Sequence, residues 1–286
     1  MRKLLLLTLL LITLTACADG TALQTVPAPL LDPAPQPLEY VVEAVRHEST
    51  AQAPDGTKLA EISLALPELT VLRADGTEIV LPQTDEEKTA LAAAETFNKQ
   101  FQEWASEVSF AELTQCAKED YALRPEFFTG GSYYTEELAA SFYQTENLIS
   151  VTGKYYAFTG GAHPNMVLLG WNFNLTTGTF LDVTTLSLDV GDFLTAVTDE
   201  IVAQIEGAAA ECGAPPEQLY WENYREIAAQ WSSYAVSFDD AGMTVGFSPY
   251  ELACYAAGPQ EFTLSYDTLR PWLSQQGLQL LGLEEK

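Results

Sequence analysis

Two histidines are the only imidazole side chains in this 286-residue chain that could act as a general base or a metal ligand. His47 lies in a strand-like segment, and His163 lies between paired glycines and a proline. A histidine beside carboxylates can move a proton or bind a metal ion, whereas a loop histidine before proline more commonly packs or hydrogen-bonds. We interpret His163 as a packing or contact residue and keep catalysis as the alternative.

Other patterns for catalysis are missing from the sequence. There is no Gly-x-Ser-x-Gly elbow, no phosphate-binding GxxxxGK loop and no calcium-binding EF-hand loop. Cys116, Cys212 and Cys254 show neither CxxC nor Cys/His ligand spacing. The sequence therefore predicts no enzyme, with no catalytic residue, no metal and no cofactor. The alternative is a cell-wall-directed hydrolase that uses His163 with carboxylates.

Two loops combine aromatic side chains with glycine or proline. In the first, an aromatic strand reaches a Gly-Gly pair, which predicts positive φ angles, and a proline then holds the preceding histidine extended. Such shaped loops on a rigid sheet favour recognition, although one face of the aromatic strand would pack in a core. The predicted binding residues are Tyr156, Gly160, Gly161, His163, Pro164, Pro249, Tyr250 and Tyr255.

The charge of the chain is strongly negative. Asp and Glu number 40 against 13 Lys and Arg, which gives a formal net charge of -27 at pH 7, while 47% of residues are apolar. This composition indicates a folded body with an acidic surface, which repels nucleic acid. The surface serves solubility alone or also steers cationic partners toward the protein.

The N-terminus predicts export and lipid anchoring. Arg2 and Lys3 precede the apolar run Leu4–Leu14, which is too short to span a bilayer and is typical of a signal peptide. The following Leu-Thr-Ala-Cys sequence resembles the lipobox of bacterial lipoproteins, which implies cleavage after residue 16 and diacylglycerol with acyl chains such as palmitate on Cys17. The alternative is a plain secreted protein. The other three cysteines then permit one disulfide and one free thiol.

The order of elements predicts an α+β fold, with antiparallel sheets of local hairpins packed against amphipathic helices. After the signal peptide (1–16) and a Pro/Ala-rich tether (17–38), turn signals at 54–56 and 74–76 predict two hairpins. A capping box at 84–87 starts a long helix, and a second helix is predicted over 135–144. The remaining predicted elements are strands at 147–158, 166–175, 234–238, 243–247 and 261–265, and helices at 193–205, 215–231 and 268–276.

Three sequence blocks carry a family resemblance: Tyr156–Asn165, Trp171–Gly178 and Phe247–Pro259. Their order and spacing resemble the RsiV-type domain family DUF3298 over about residues 147 to 275, within a predicted region 146–286. Residues 39–145 resemble the DUF4163, or PdaC-like, domain through element order alone.

The resemblance implies an extracytoplasmic binding module of the bacterial cell envelope. Members of the family sense lysozyme or accompany peptidoglycan deacetylases, so it implies lysozyme, another cationic protein or cell-wall material as the partner. The chain departs from the family pattern in two ways. A lipoprotein signal stands in place of the cytoplasmic and transmembrane segments of RsiV, a sigma-factor regulator that carries this domain. Cys254 stands where the family often has proline. A structural envelope lipoprotein is the remaining alternative.

Overall fold

A computed structural model describes residues 37–284 of the chain. The predicted signal peptide, Cys17 and nearly all of the predicted tether lie outside these residues. Alternation of apolar and polar side chains produces nine strands in the described part, arranged in two sheets. The strands are β1 (Glu39–Gln52), β2 (Lys58–Leu72), β3 (Tyr134–Gln144), β4 (Leu148–Phe158), β5 (Asn165–Asn174), β6 (Thr179–Phe180), β7 (Ala235–Phe238), β8 (Gly242–Phe247) and β9 (Gln260–Ser265).

The helices of the described part vary widely in length. The predicted long helix is confirmed: Thr84 caps it by accepting the backbone N–H of Glu87. No helix among residues 37–284 is both long and apolar enough to cross a membrane. The α-helices are α1 (Asp85–Ser106), α2 (Phe110–Leu123), α3 (Pro125–Thr129), α4 (Val190–Glu211), α5 (Tyr224–Ala228), α6 (Tyr266–Leu269) and α7 (Gln275–Leu280), and 3-10 turns cover Val183–Leu186, Pro216–Gln218, Trp231–Ser233, Tyr255–Ala257 and Arg270–Trp272.

The predicted α+β fold is confirmed, with one parallel strand pair added. The larger sheet has the order β1-β2-β3-β4-β5-β6, and all of its pairs are antiparallel except β2-β3. One sheet face packs on α1, where Phe97 and Phe101 meet Trp171 and Phe173 of β5. The smaller sheet, β7-β8-β9, packs with α4 around Phe193, Trp231 and Phe247 as a second core.

Several predicted elements are wrong. The helix predicted over 135–144 is strand β3, because pairing with β2 and β4 outweighs the helix propensity of its Glu, Leu and Ala residues. The predicted hairpin around 74–76 has only an isolated bridge, and α2 was not predicted. The helix predicted over 215–231 is a 3-10 turn followed by the five-residue α5, and the one predicted over 268–276 is divided among α6, a 3-10 turn and α7.

Buried polar groups join the two sheets on the face opposite α1. The Asn172 amide donates to the Val236 carbonyl at 2.9 Å and accepts from the Ser150 hydroxyl at 2.8 Å. That hydroxyl in turn accepts the Phe238 backbone N–H at 2.8 Å. Because an unpaired buried polar group costs about 1–3 kcal/mol, this set of bonds specifies how β7 lies on β4 and β5.

The predicted boundary at 145/146 falls between two strands of the same sheet. β3 ends at Gln144, β4 begins at Leu148, and the two strands pair along ten residues. By contacts, Pro37–Lys286 forms one compact unit. Residues on either side of the boundary therefore share a sheet and a core.

Candidate binding site

The two predicted aromatic loops meet in the structure. His163, in the loop between β4 and β5, stacks on Tyr255 with ring centroids 3.7 Å apart and planes 21° from parallel. Its Nε2 lies 3.2 Å from the Tyr250 hydroxyl, and the Tyr250 and Tyr255 rings are 5.6 Å apart. We call His163, Tyr250 and Tyr255 the aromatic cluster.

The hydrogen bonds of His163 assign its tautomer. Nδ1 lies 2.9 Å from the Pro164 carbonyl oxygen, which can only accept, so Nδ1 carries the proton. In the neutral imidazole, Nε2 is then the acceptor for the Tyr250 hydroxyl. The ring is thus held by its own loop on one side and by the second loop on the other.

Only one of the paired glycines needs its special backbone freedom. Gly160 has φ +80°, and a Cβ there would lie 2.7 Å from Arg124 Nη2 and 2.9 Å from the Tyr134 ring. The Gly160 carbonyl accepts from Arg124 Nη2 at 3.4 Å. Gly161 has no positive φ, and the nearest atom to an added Cβ is 3.8 Å away, so the prediction of positive φ at both glycines is wrong for Gly161.

The loop after β8 is braced at each end. Tyr250 is the only non-glycine residue of the described chain with positive φ, at 75°. Its N–H donates to the Ala253 carbonyl at 3.1 Å, and the Ser248 hydroxyl accepts the Leu168 N–H of β5 at 3.1 Å. These bonds hold an uncommon backbone conformation while 55% of the Tyr250 residue surface stays exposed.

Trp221 is a further member of this site and was not among the predicted binding residues. Its indole Nε1 donates to the Tyr250 carbonyl at 3.0 Å, and its backbone N–H donates to the Leu252 carbonyl at 3.0 Å. Trp221 lies in a connecting turn within the stretch that was predicted as a helix. The two prolines at 215 and 216, which end regular structure before this turn, were the available signal.

Replacing Trp221 with phenylalanine tests this support. The ring remains but the N–H donor is lost, so the Tyr250 carbonyl loses a bond worth about 1 kcal/mol. We expect the free energy of unfolding to fall by about that amount and the amides of Tyr250 and Glu251 to exchange faster with deuterium. Trp272, which is equally exposed at 37%, supplies the control Trp272→Phe. Equal exchange in the two variants would contradict a role for the indole N–H.

The remaining predicted residues lie around the cluster or beside it. Pro164 and Pro249 are half-buried and flank His163 and Tyr250 in the chain. Tyr156 is half-buried on β4 and makes no ring contact with the cluster among the aromatic pairs of the described residues. Burial raises the pKa of the Tyr156 phenol, and the nearby Glu137 carboxylate and Tyr255 add to the increase.

The cluster offers aromatic faces and hydroxyl groups to a ligand. The polar contacts of His163 are the Tyr250 hydroxyl and the Pro164 carbonyl. No group of three or more His, Cys, Asp or Glu side chains in residues 37–284 could hold a metal ion. The three cysteines of the described chain are free and exposed, so the disulfide that the count permitted is not formed. Stacking, hydrogen bonding and cation–π contact are the interactions available here.

The fold and site define a two-sheet α+β protein with an exposed aromatic loop cluster. Residues 188–267 match the model of DUF3298, a family described as a protein of unknown function, and the predicted resemblance is confirmed for that segment. The segment contains Trp221, Tyr250 and Tyr255, whereas His163 lies before it. The blocks at 156–165 and 171–178 also lie before it, and the DUF4163 resemblance and the lipoprotein signal stay predictions.

A solved structure resembles the chain at the level of the fold. A DUF3298 family member from Bacteroides fragilis has a TM-score of 0.57 and 17% identity, covering 88% of this chain and 99% of its own. A DUF3298 family protein from Pseudomonas aeruginosa has a TM-score of 0.49 and 14% identity, covering 85% and 96%. No curated protein matches the chain significantly.

Proposed function

We propose that this protein is an exported, lipid-anchored binding protein of the bacterial cell envelope that holds a basic protein at its aromatic cluster. One observation carries the proposal: two loops 87 residues apart in sequence meet through stacking and a hydrogen bond while Tyr250 stays exposed. Rigid, exposed tyrosines supply large contact area at a low cost in conformational entropy. A braced surface of this kind fits recognition of a partner.

The net charge supports a cationic partner. A formal charge of -27 attracts basic proteins over distances of about a Debye length, which is roughly 8 Å at 0.15 M salt and 30 Å at 0.01 M. Such attraction raises association rates, and the aromatic contacts then supply short-range affinity. Lysozyme is the basic protein that the DUF3298 resemblance implies.

The N-terminal sequence supports the location. The basic residues, the short apolar run and the Leu-Thr-Ala-Cys sequence would place diacylglycerol on Cys17, and two acyl chains are enough for stable anchoring. A tether with prolines at 27, 29, 33, 35 and 37 would then separate the folded body from the bilayer.

Retention on immobilised hen lysozyme tests the partner. We expect retention at about 0.01 M salt and weaker but measurable retention at about 0.15 M, because screening removes steering and leaves the contact surface. Immobilised cytochrome c, which is also small and basic, controls for charge alone. Equal retention on both proteins at 0.15 M, or no retention on lysozyme at low salt, would contradict lysozyme as the partner.

A further inference from the structure

A cavity of about 490 Å³ lies on the face of the larger sheet opposite α1. The alternation of β4 places Tyr155 against Trp104 of α1, with ring centroids 5.5 Å apart, so Tyr156 and Phe158 project from the other face. Arg46 of β1, Ser63 of β2 and Glu137 of β3 line the cavity with them. The Lys154 Nζ, 3.6 Å from Glu261 Oε2 of β9, connects this cavity to the smaller sheet.

The strand register places these groups in rows. Glu137 lies opposite Tyr156 across the β3-β4 pair, and Ser63 lies opposite Glu137 across the parallel β2-β3 pair. Tyr156 and Phe158 are two residues apart on β4, so their side chains lie on the same face of the sheet. Together these residues form a floor of two aromatic rings beside a row of polar side chains.

The polar groups are held before any ligand arrives. Arg46 Nη1 donates to Ser63 Oγ at 3.0 Å. The Tyr133 ring, which also lines the cavity, is covered by Lys58 Nζ at 3.8 Å from its centroid, and Lys58 pairs with Glu61 at 2.6 Å. Such contacts lower the entropy that binding would cost.

The balance of these groups selects the class of ligand. Arg46 and Lys154 only donate hydrogen bonds, Glu137 only accepts, and Ser63 does both. An anion would meet the Glu137 carboxylate, and a purely apolar molecule would leave these groups unpaired. A sugar ring carries hydroxyls that donate and accept, and its C–H face packs on aromatic rings. We propose that this cavity binds a neutral saccharide. One sugar ring would pack on Tyr156 and Phe158, and hydroxyls of the saccharide would hydrogen-bond with Glu137, Lys154 and Arg46.

The cavity and the aromatic cluster would bind different ligands, and binding at each can be measured independently. The protein partner would contact His163, Tyr250 and Tyr255, and none of these lines the cavity. Loss of lysozyme binding would therefore leave saccharide binding in place, and the reverse also holds.

Saturation-transfer NMR with the purified protein tests the proposal. The probes are four neutral oligosaccharides: cellotetraose, chitotetraose, laminaritetraose and mannotetraose. We expect at least one to bind, and Tyr156→Ala to weaken that binding by about tenfold or more, because the ring that carries the stacking is removed. No signal from any of the four would overturn the proposal.

Glu137→Gln is the second variant. The Glu137 side chain is exposed, so we expect its replacement to leave the fold intact. The amide keeps an acceptor but loses the charge, so we expect weaker binding of the same saccharide with an unchanged unfolding midpoint. Glu103→Gln on the exposed surface of α1 is the matched control and should leave binding unchanged. Binding that is the same in the wild type, Tyr156→Ala and Glu137→Gln would place the sugar elsewhere and overturn the assignment.

Discussion

Gly170→Ala is expected to lower the free energy of unfolding by about 3 kcal/mol or more. A Cβ at this position of β5 would lie 2.3 Å from the Val236 carbonyl oxygen and 2.7 Å from its nitrogen. Both atoms belong to the backbone of β7, which is paired along β8, so relief requires the smaller sheet to move. The same shift would stretch the bond from Asn172 to Val236.

Urea denaturation measures this effect as a lower midpoint with an unchanged slope. The control is Gly207→Ala in α4, where an added Cβ has no atom within 4 Å. Alanine in that helix should raise stability by about 0.5–1 kcal/mol. A Gly170→Ala protein within about 0.5 kcal/mol of the wild type would show that the sheets are less closely packed than the backbone distances indicate.

Tyr255→Ala is expected to weaken lysozyme binding by about 30-fold or more at 0.15 M salt, provided that the proposed partner is correct. The substitution removes the ring on which His163 stacks and leaves the net charge unchanged. Truncating a central aromatic anchor costs about 2 kcal/mol or more in protein interfaces, which corresponds to that factor. Because steering is preserved, the change should appear mainly in the dissociation rate.

Surface plasmon resonance with immobilised lysozyme separates the two rate constants. Leu188→Ala is the control, because Leu188 is an apolar residue that is 70% exposed and is not part of the aromatic cluster. His163→Ala and Tyr250→Ala should each weaken binding less than Tyr255→Ala, since they leave the central ring in place. Wild-type dissociation in all three variants would remove the aromatic cluster as the contact surface, even if lysozyme itself is retained.

Local signals predicted a large part of the fold. The turn at 54–56 joins β1 and β2, and Thr84 begins α1, because both features depend on residues that are close in sequence. The strands at 147–158 and 166–175 were predicted to within one residue at each end, since the loop between them carries glycine and proline. In the candidate site, glycine and proline close to aromatic residues likewise identified both loops.

Long-range pairing decides the features that local sequence patterns did not predict. β3 has the composition of a helix, but it fills the space between β2, more than 60 residues earlier in the chain, and β4. Trp221 has no local pattern that connects it to Tyr250, 29 residues away, although its N–H holds that loop. The cavity lining comes from four strands and the segment before β3, and the register of the strands decides which of their side chains meet there.

The sequence by itself determined the acidic charge, the predicted export signal and the two loops that combine aromatic residues with glycine or proline. Those features depend on composition and on short-range backbone preferences, which can be read from neighbouring residues. The tertiary structure alone decided that His163 would stack on Tyr255. That contact requires β7 to lie on β5, which the missing side chain of Gly170 and the buried amide of Asn172 permit.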